Sequence, residues 1–326
     1  MNLKIHLAIE KCSNCNTSPV VKRKYSEQKL CISCFNESVE NQVLKTIKNY
    51  NLFKPREKII VGLSGGKDSI TLLYNLKKII KTTSYSNEIA ALLIDEGIKD
   101  YRDKSIVSAK NFCENHQITY KIVRFKEKIG KTLDEIIKGK KESKNYRYAC
   151  NYCAAFRRRL LNEGAKALGG DVLAVGHNLT DIAETYLMNI LYNRFSLIGR
   201  KRFNRKQSSK RTSCYIKKVK PLMKIPEEEI FLYLNTKELS YYPSNCPYSL
   251  EDPILRRKVF EFIQQCKEEI WNLEFNLLNE YINLSEIIRN QTKNNRTYNH
   301  CKKCEYPCTN NQICTYCRYI NEIEKI

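Results

Sequence analysis

The stretch KIIVGLSGGKDS, Lys58 to Ser69, decides the fold. Its first half is a short apolar run of the kind that forms a buried strand, and Ser64-Gly65-Gly66 ends it abruptly. Ile70 to Ile80 then carries Leu72, Leu73, Leu76 and Ile79 at helical spacing. A strand, a glycine turn and a helix in that order point backbone N–H groups at a phosphate. The loop is not a Walker A sequence. Three residues rather than four separate Gly62 from Gly66, and Asp68 rather than a hydroxyl residue follows Lys67. The competing reading is a plain glycine turn with no ligand.

Working outward, the alternation continues. Ile89 to Ile94 (IAALLI) is a second buried-strand candidate, followed by a helix through Ile106 to Phe112. Ile118 to Phe125 and Val172 to Val175 supply further strands. Strands separated by helices predict an α/β fold with a doubly wound parallel sheet, whose ligands sit at the carboxyl ends of the strands. Beyond it the texture changes. Arg194 to Lys220 holds eleven Lys or Arg and no Asp or Glu, and reads as an exposed basic loop. Pro226 followed by Glu227, Glu228 and Glu229 marks a helix start. Asn272 to Arg289 reads as an amphipathic helix.

Fifteen cysteines among 326 residues, most in close pairs, speak for metal, because a chain of this length does not need disulfides to fold. Cys12, Cys15, Cys31 and Cys34 form one C-x-x-C pair of pairs, the spacing of a structural zinc site. Cys301, Cys304, Cys314 and Cys317 form another, with Cys308 an extra thiol that leaves a ligand exchange open. Cys150 and Cys153 make a central pair; Cys246 stands apart, and Cys113, Cys214 and Cys266 are scattered. The pattern divides the chain into an N-terminal zinc-binding module (1–50), a catalytic domain (51–290) and a C-terminal zinc-binding module (291–326). Lys+Arg of 57 against Asp+Glu of 35 leaves a net charge of +22, which calls for a polyanionic partner, nucleic acid first. Met1 to Glu10 lacks the uninterrupted apolar region of a secretory signal, and no apolar run approaches the roughly 18 residues of a membrane span. A cytoplasmic protein with no membrane partner is expected.

SGGKDS matches the pyrophosphate-binding loop (PP-loop) of the ATP pyrophosphatases. The resemblance extends over nearly the whole chain. The paired cysteines at both ends, Asp95-Glu96-Gly97-Ile98 with Tyr101-Arg102-Asp103, and Cys150-x-x-Cys153 with Phe156-Arg157-Arg158-Arg159 follow in order. So do Gly176-His177-Asn178-Leu179-Thr180-Asp181-Ile182-Ala183-Glu184-Thr185 and Cys246-Pro247-Tyr248. Together they resemble the tRNA 2-thiouridine synthetase family, which includes the TtuA-type enzymes and the cytosolic thiouridylase subunit. The resemblance implies ATP binding by Leu63, Ser64, Gly65, Gly66, Lys67, Asp68 and Ser69, with Ile94, Asp95, Gly176 and Asp181. It implies a [4Fe-4S] cluster on Cys150, Cys153 and Cys246. Three thiolates on four irons leave one iron open to a sulfide. The alternative is a cluster-free pair, Cys150 and Cys153, that passes a persulfide through a disulfide.

Asp181 and Arg157 are the remaining catalytic candidates. Asp181 falls between a strand and a helix, placed to hold Mg2+ beside ATP; read structurally it is an N-cap, with Glu184 three residues on as in a capping box. Arg157, four residues after Cys153, either neutralises developing charge or contacts a tRNA phosphate, as Arg158 and Arg159 could equally. The basic loop reads as tRNA-binding surface in preference to a solvated face. Three departures stand out: Thr180 where many relatives have aspartate, Ala154 for the usual glycine, and arginine at 157 where some relatives have lysine.

The expected reaction is ATP-dependent 2-thiolation of a tRNA uridine, at the wobble position in preference to the T loop. The expected cofactors are ATP, Mg2+, the cluster and two Zn2+. The resemblance adds a ubiquitin-like thiocarboxylated sulfur carrier as donor and either a second copy or a paralogous subunit as partner. Adenylation of another tRNA base, and a zinc-ribbon RNA-binding protein without catalysis, are the alternatives.

Overall fold

The computed structural model describes residues 11–83, 85–140, 148–203, 214–243, 245–250, 255–291, 299–308 and 312–324. Among the described residues the first elements are a hairpin of β1 (Val21–Arg23) and β2 (Gln28–Leu30), then α1 (Ile32–Asn49). The α/β body follows with β3 (Ile59–Gly62), α2 (Lys67–Thr82), β4 (Ile89–Asp95), α3 (Arg102–Asn115), β5 (Thr119–Arg124), α4 (Phe125–Ile129) and α5 (Leu133–Lys140). Next come α6 (Ala149–Ala167), β6 (Val172–Val175), α7 (Leu179–Leu191), α8 (Phe195–Arg200), β7 (Lys217–Val219) and α9 (Glu227–Thr236). Helices α10 (Leu255–Lys267) and α11 (Leu273–Gln291), the hairpin β8 (Asn299–His300) and β9 (Pro307–Cys308), and α12 (Thr315–Ile323) complete it.

Five strands pair in the order β5-β4-β3-β6-β7, all parallel. Alternate residues of a strand face opposite sides of its sheet, and both sides here are apolar. Ile59 and Val61 pack with Leu72, Leu76, Phe112 and Tyr233 under α2, α3 and α9. Ile60 packs instead with Leu92, Leu173, Tyr152 and Phe156 under α6. A second helical layer, α8, α10 and α11, covers α7. No helix among the described residues is long and apolar enough to cross a membrane.

Both cysteine modules are docked on this body. Phe35, Val39 and Val43 of α1 are buried in the same core as Leu72 and Ile230. Tyr319 and Ile323 of α12 join Tyr152 and Phe156, and Tyr152 Oη donates to Glu322 at 2.9 Å.

The four expected strands are present, but the exposed basic loop from Arg194 to Lys220 is not one loop. Its first part is α8, with Ile198 fully buried, and its last part is the edge strand β7, whose Val219 is also buried. Two lysines in a three-residue strand conceal it, because an edge strand needs only one inward apolar residue to pair. The central basic residues Arg205, Lys206, Lys210 and Arg211 lie outside the described residues.

Candidate active site

The sheet reverses its winding between β3 and β6, and the loops leaving these two strands form the floor of the site. This is the switch point where open α/β sheets bind ligands. After β3, Gly65 adopts φ +86°, and a Cβ there would lie 2.2 Å from the Ser105 carbonyl oxygen of α3, so no side chain fits. Ser64 Oγ and Ser69 Oγ lie 3.0 Å apart across the turn, and the Ser64 N–H donates to Ser69 Oγ at 3.1 Å. Gly66 caps α2, which leaves that helix's first N–H groups facing the loop. After β6, Gly176 meets the loop so closely that a Cβ would come within 2.9 Å of the Asp68 carbonyl carbon.

Charged groups ring this floor. Lys67 Nζ lies 3.0 Å from Asp68 and 2.6 Å from Glu227. Burial works against its charge, but Asp68 and Glu227 outweigh it and hold the ammonium above its ordinary value. Asn178 Nδ2 donates to Asp68 Oδ1 at 2.9 Å. Asp181 is tied to Asn178 in both directions: its N–H donates to Asn178 Oδ1 at 2.9 Å, and its carboxylate accepts from the Asn178 N–H at 3.2 Å. The cap of α7 is therefore Asn178, with Asp181 in the third helical position. The capping box predicted from Asp181 to Glu184 is displaced by one turn. Glu184 instead receives a hydrogen bond from Arg256 Nε of α10, and Arg256 Nη2 reaches Asp181 at 3.2 Å. Burial raises the Asp181 carboxyl above the usual range; Arg256 opposes this, and Asp68 and Glu227 add to it.

A group of basic side chains lies within electrostatic reach of the acids. Burial pulls Lys220 down to about 7, with Lys201, Lys218 and Arg256 contributing against the pull of Asp181. His177 keeps a solvent-exposed edge, yet the protein around it and Lys220, Lys218 and Lys201 disfavour its charged form. Like charges held this close are stabilised by an anion among them.

A continuous polar run leads from this floor to the central cysteines. Arg102 Nη1 donates to the Ser64 carbonyl at 2.7 Å, and its Nε lies 2.8 Å from Glu96 Oε2 while aiming its N–H at the Ile94 carbonyl, 2.6 Å away. Glu96 Oε2 is thus charge-paired without receiving a hydrogen bond. Its other oxygen accepts from Arg157 Nε at 2.6 Å, and Arg157 Nη2 lies 3.1 Å from Cys153 Sγ. Asp95, by contrast, turns to the Gly97 N–H at 2.9 Å.

Helix α6 sets Cys150, Cys153 and Arg157 on one face, at spacings of three and four residues. Cys246 packs against the same core cluster as Cys153. Its segment is pinned by the Tyr242 N–H on the Gly65 carbonyl at 2.9 Å and by Tyr248 Oη on Asp134 at 2.7 Å. Burial pushes the Cys153 thiol up to about 11, Arg157 working against it, and burial raises Cys246 as well. Among the described residues, three or more cysteine sulfurs come within 4.8 Å of one another only in the two terminal quartets. The central three are spaced too widely for one ion. Two thiols on successive turns of α6 and a third, Cys246, from the segment after α9, with an arginine beside them, fit a cluster in which each thiolate binds its own iron.

The quartets have single-ion geometry. Zn–S bonds of about 2.3 Å in a tetrahedron put sulfurs roughly 3.8 Å apart. Cys15 lies 3.7 Å from Cys31 and 3.6 Å from Cys34, and Cys304 lies 3.7 Å from Cys314. The two quartets share a construction: the third cysteine caps a helix, and its N–H points at the first sulfur at 3.3 Å in each. Burial opposes ionisation of Cys12 and Cys301, but surrounding backbone N–H groups outweigh it and hold both near 6, suited to binding metal as thiolates. Cys308 sits on β9 outside the quartet. Cys113 is a buried core residue of α3.

Sequence reasoning assigned no role to Glu96, Arg102 or Asn178, although each sits in a quoted motif, and it passed over Arg256. A charged residue directly after a buried strand was the available signal for Glu96. Nothing in the local pattern of α10 marks Arg256.

A non-Walker phosphate loop at the switch point of this sheet defines a PP-loop domain, and the family model described as the PP-loop domain matches residues 35–263. A probable sulfurtransferase of Methanocaldococcus jannaschii is 33% identical over 97% of this chain and 88% of its own length. Cytoplasmic tRNA 2-thiolation protein 1 of Candida glabrata is 32% identical over 96% of this chain and 86% of its own, and that of Drosophila melanogaster is 38% identical over 73% and 67%. Among solved structures, the U34-tRNA thiolase NcsA from Methanococcus maripaludis with its [4Fe-4S] cluster superposes with a TM-score of 0.79, 30% identity and 96% coverage of both chains. The chain belongs to the PP-loop family of tRNA 2-thiolation sulfurtransferases.

Proposed function

We propose that the protein replaces the C2 oxygen of the tRNA wobble uridine with sulfur, at the expense of ATP. The observation that carries this reading is the polar run from Ser64 through Arg102, Glu96 and Arg157 to Cys153, which joins the nucleotide loop to the central cysteines. A thiolase of this kind must bring two chemistries together: activation of an oxygen by ATP, and delivery of sulfur.

Ser64 to Ser69 and the first N–H groups of α2 receive the ATP phosphates, with Leu63, Ile94, Asp95 and Gly176 around the nucleotide. Lys67 supplies a charge that burial does not remove. Asp68 and Asp181, which face each other through Asn178, fit Mg2+, which would neutralise phosphate charge there. The uridine O2 takes the adenylyl group and pyrophosphate leaves; sulfur then replaces the activated oxygen and AMP departs. A [4Fe-4S] cluster on Cys150, Cys153 and Cys246 would supply an iron without a protein ligand, able to bind sulfide. Arg157 holds positive charge beside Cys153 and the reacting groups.

The net charge of +22 and the group of Lys201, Lys218 and Lys220, whose charged forms an anion would favour, suit a tRNA backbone. The wobble assignment is supported by the thiolase match over 96% of the chain. A thiocarboxylated ubiquitin-like carrier as sulfur donor, a second copy or paralogous subunit, and a cytoplasmic setting belong to the same reading.

The test is thiolation of unmodified tRNA by anaerobically reconstituted protein with ATP, Mg2+ and sulfide, read by nucleoside mass spectrometry. We expect 2-thiouridine at the wobble position and one AMP per sulfur. Asp68→Ala should lower AMP formation by about 100-fold, because the carboxylate that would hold the phosphate-bound Mg2+ is lost and the phosphates are misplaced. Thiolation mapped to the T loop, or none by protein that binds iron and ATP, overturns the proposal.

Each quartet should hold one zinc. Metal analysis is expected to give two zinc ions per chain, falling to one in Cys304→Ser, with iron unchanged. Loss of iron in place of zinc from that variant would contradict the division of the cysteines.

A further inference from the structure

On the face of α6 next to the one that carries Cys150, Cys153 and Arg157, a cavity of about 580 Å³ opens between that helix and the C-terminal cysteine module. Its size falls within the roughly 300–1,000 Å³ of small-ligand sites. Its chemistry is one-sided. Arg158, Arg159, Arg200 and Arg318 line it together with Tyr215, Tyr306 and Tyr316, and its lining contains no Asp or Glu. Among the described residues Arg159 alone of the four arginines pairs with an acid, Glu163.

The wall is built in advance. Arg159 lies over the Tyr306 ring, its Cζ 3.1 Å from the centroid, and Tyr215 meets Tyr306 edge-on at 5.3 Å. Asn162 fixes the seam, donating to the Cys214 carbonyl at 2.8 Å and to Tyr306 Oη at 2.9 Å while accepting from the Ile216 N–H at 2.9 Å. Tyr215 remains 44% exposed, so its ring is presented rather than consumed by packing.

We propose that this cavity seats one unpaired nucleotide of the RNA substrate, its base against Tyr215 and its phosphates among Arg158, Arg200 and Arg318. Aromatic rings beside guanidinium groups are how proteins hold bases splayed from a single-stranded loop, and base stacking tolerates any base. Residues 154 and 158 share turns of α6 with Cys153 and Arg157, so the seated nucleotide is a near neighbour of the uridine being modified. Holding it anchors a loop that must be unstacked for its target to reach the sulfur site. The inference rests on the tRNA reading above and deepens it by placing a second RNA contact outside the catalytic floor.

Two measurements on the full chain test it. Ultraviolet crosslinking to unmodified tRNA, followed by peptide mass spectrometry, should place a nucleotide on Tyr215 or Tyr316, and millimolar AMP should not displace it. In fluorescence anisotropy, Tyr215→Ala should weaken tRNA binding about tenfold, within the range for losing one stacked base. Tyr215→Phe should bind within about twofold of wild type, because the ring persists. Crosslinks confined to other surfaces overturn the proposal even if Tyr215→Ala is poorly folded. Unchanged affinity in Tyr215→Ala beside weakened binding in Arg200→Ala overturns it too, leaving only a charged surface. Displacement by AMP makes the occupant a free nucleotide instead. Wild-type protein that does not bind tRNA removes the functional reading and the inference together.

Discussion

Glu96→Ala should lower the stability of the folded chain by about 3–5 kcal/mol, the cost of removing one partner from a buried ion pair. Arg102 sets that magnitude. The side chains of Glu96 and Arg102 are 3% and 5% exposed, so the guanidinium would be left charged and enclosed, still bound to the Ser64 and Ile94 carbonyls. Arg157 contributes little to the loss, since its side chain is 47% exposed and water can replace the carboxylate. A fall in Tm on the order of 10 °C follows for a domain of this size. The second consequence concerns function. Without Glu96, Arg157 loses the carboxylate that orients it beside Cys153, and Arg102 loses the charge that orients it toward the nucleotide loop. Thermal melts and thiolation rates at a temperature where the variant stays folded separate the two effects. An unchanged melt would refute the buried pair. A wild-type rate in folded variant would reduce the whole run to scaffolding.

This network marks where sequence stops informing. The strands at Ile59, Ile89 and Val172 are legible because each is a compact apolar run with a turn behind it, and the inner strands of a parallel sheet bury both faces; the edge strand at Thr119 keeps only an alternating signal, Ile122 and Val123 among polar residues. The glycine loop is legible because strand, turn and helix occur in one uninterrupted stretch. The quartets are legible for the same reason: C-x-x-C places two sulfurs on one turn. By contrast, β7 hides in Lys217-Lys218-Val219, whose pattern is polar, and its pairing with β6 is a property of the sheet. The capping box at α7 was displaced by one turn because Asn178, Asp181 and Glu184 repeat suitable cap residues every three positions. The roles of Glu96 and Arg256 depend on partners that lie 61 and 75 residues away, at Arg157 and Asp181, and no local pattern encodes such a distance. Family motifs marked the position of Glu96. They did not show that its carboxylate spans two arginines.

Asp181→Asn is expected to lower thiolation by about 100- to 1,000-fold while leaving stability within about 1 kcal/mol of wild type, because the charge and the cap can be separated there. Asparagine keeps an acceptor oxygen for the Asn178 N–H, and the hydrogen bond from the residue 181 N–H to Asn178 Oδ1 is backbone and does not change. The lost ion pair is a weak one: Arg256 is 54% exposed and retains Glu184. What disappears is a carboxylate that faces Asp68 across Asn178, at a point where a divalent cation would shed several kcal/mol of phosphate charge in the transition state. Asp181→Ala provides the contrast, since it removes the cap acceptor as well and should cost roughly 1 kcal/mol more in stability than Asn at equal loss of activity. Urea denaturation and AMP formation measured on both variants distinguish the roles. If Asp181→Asn is as active as wild type while Asp181→Ala is unstable, the residue is a cap and the acidic pair has no part in binding the cation. If both are inactive and Asp181→Asn melts normally, Asp181 acts through its charge.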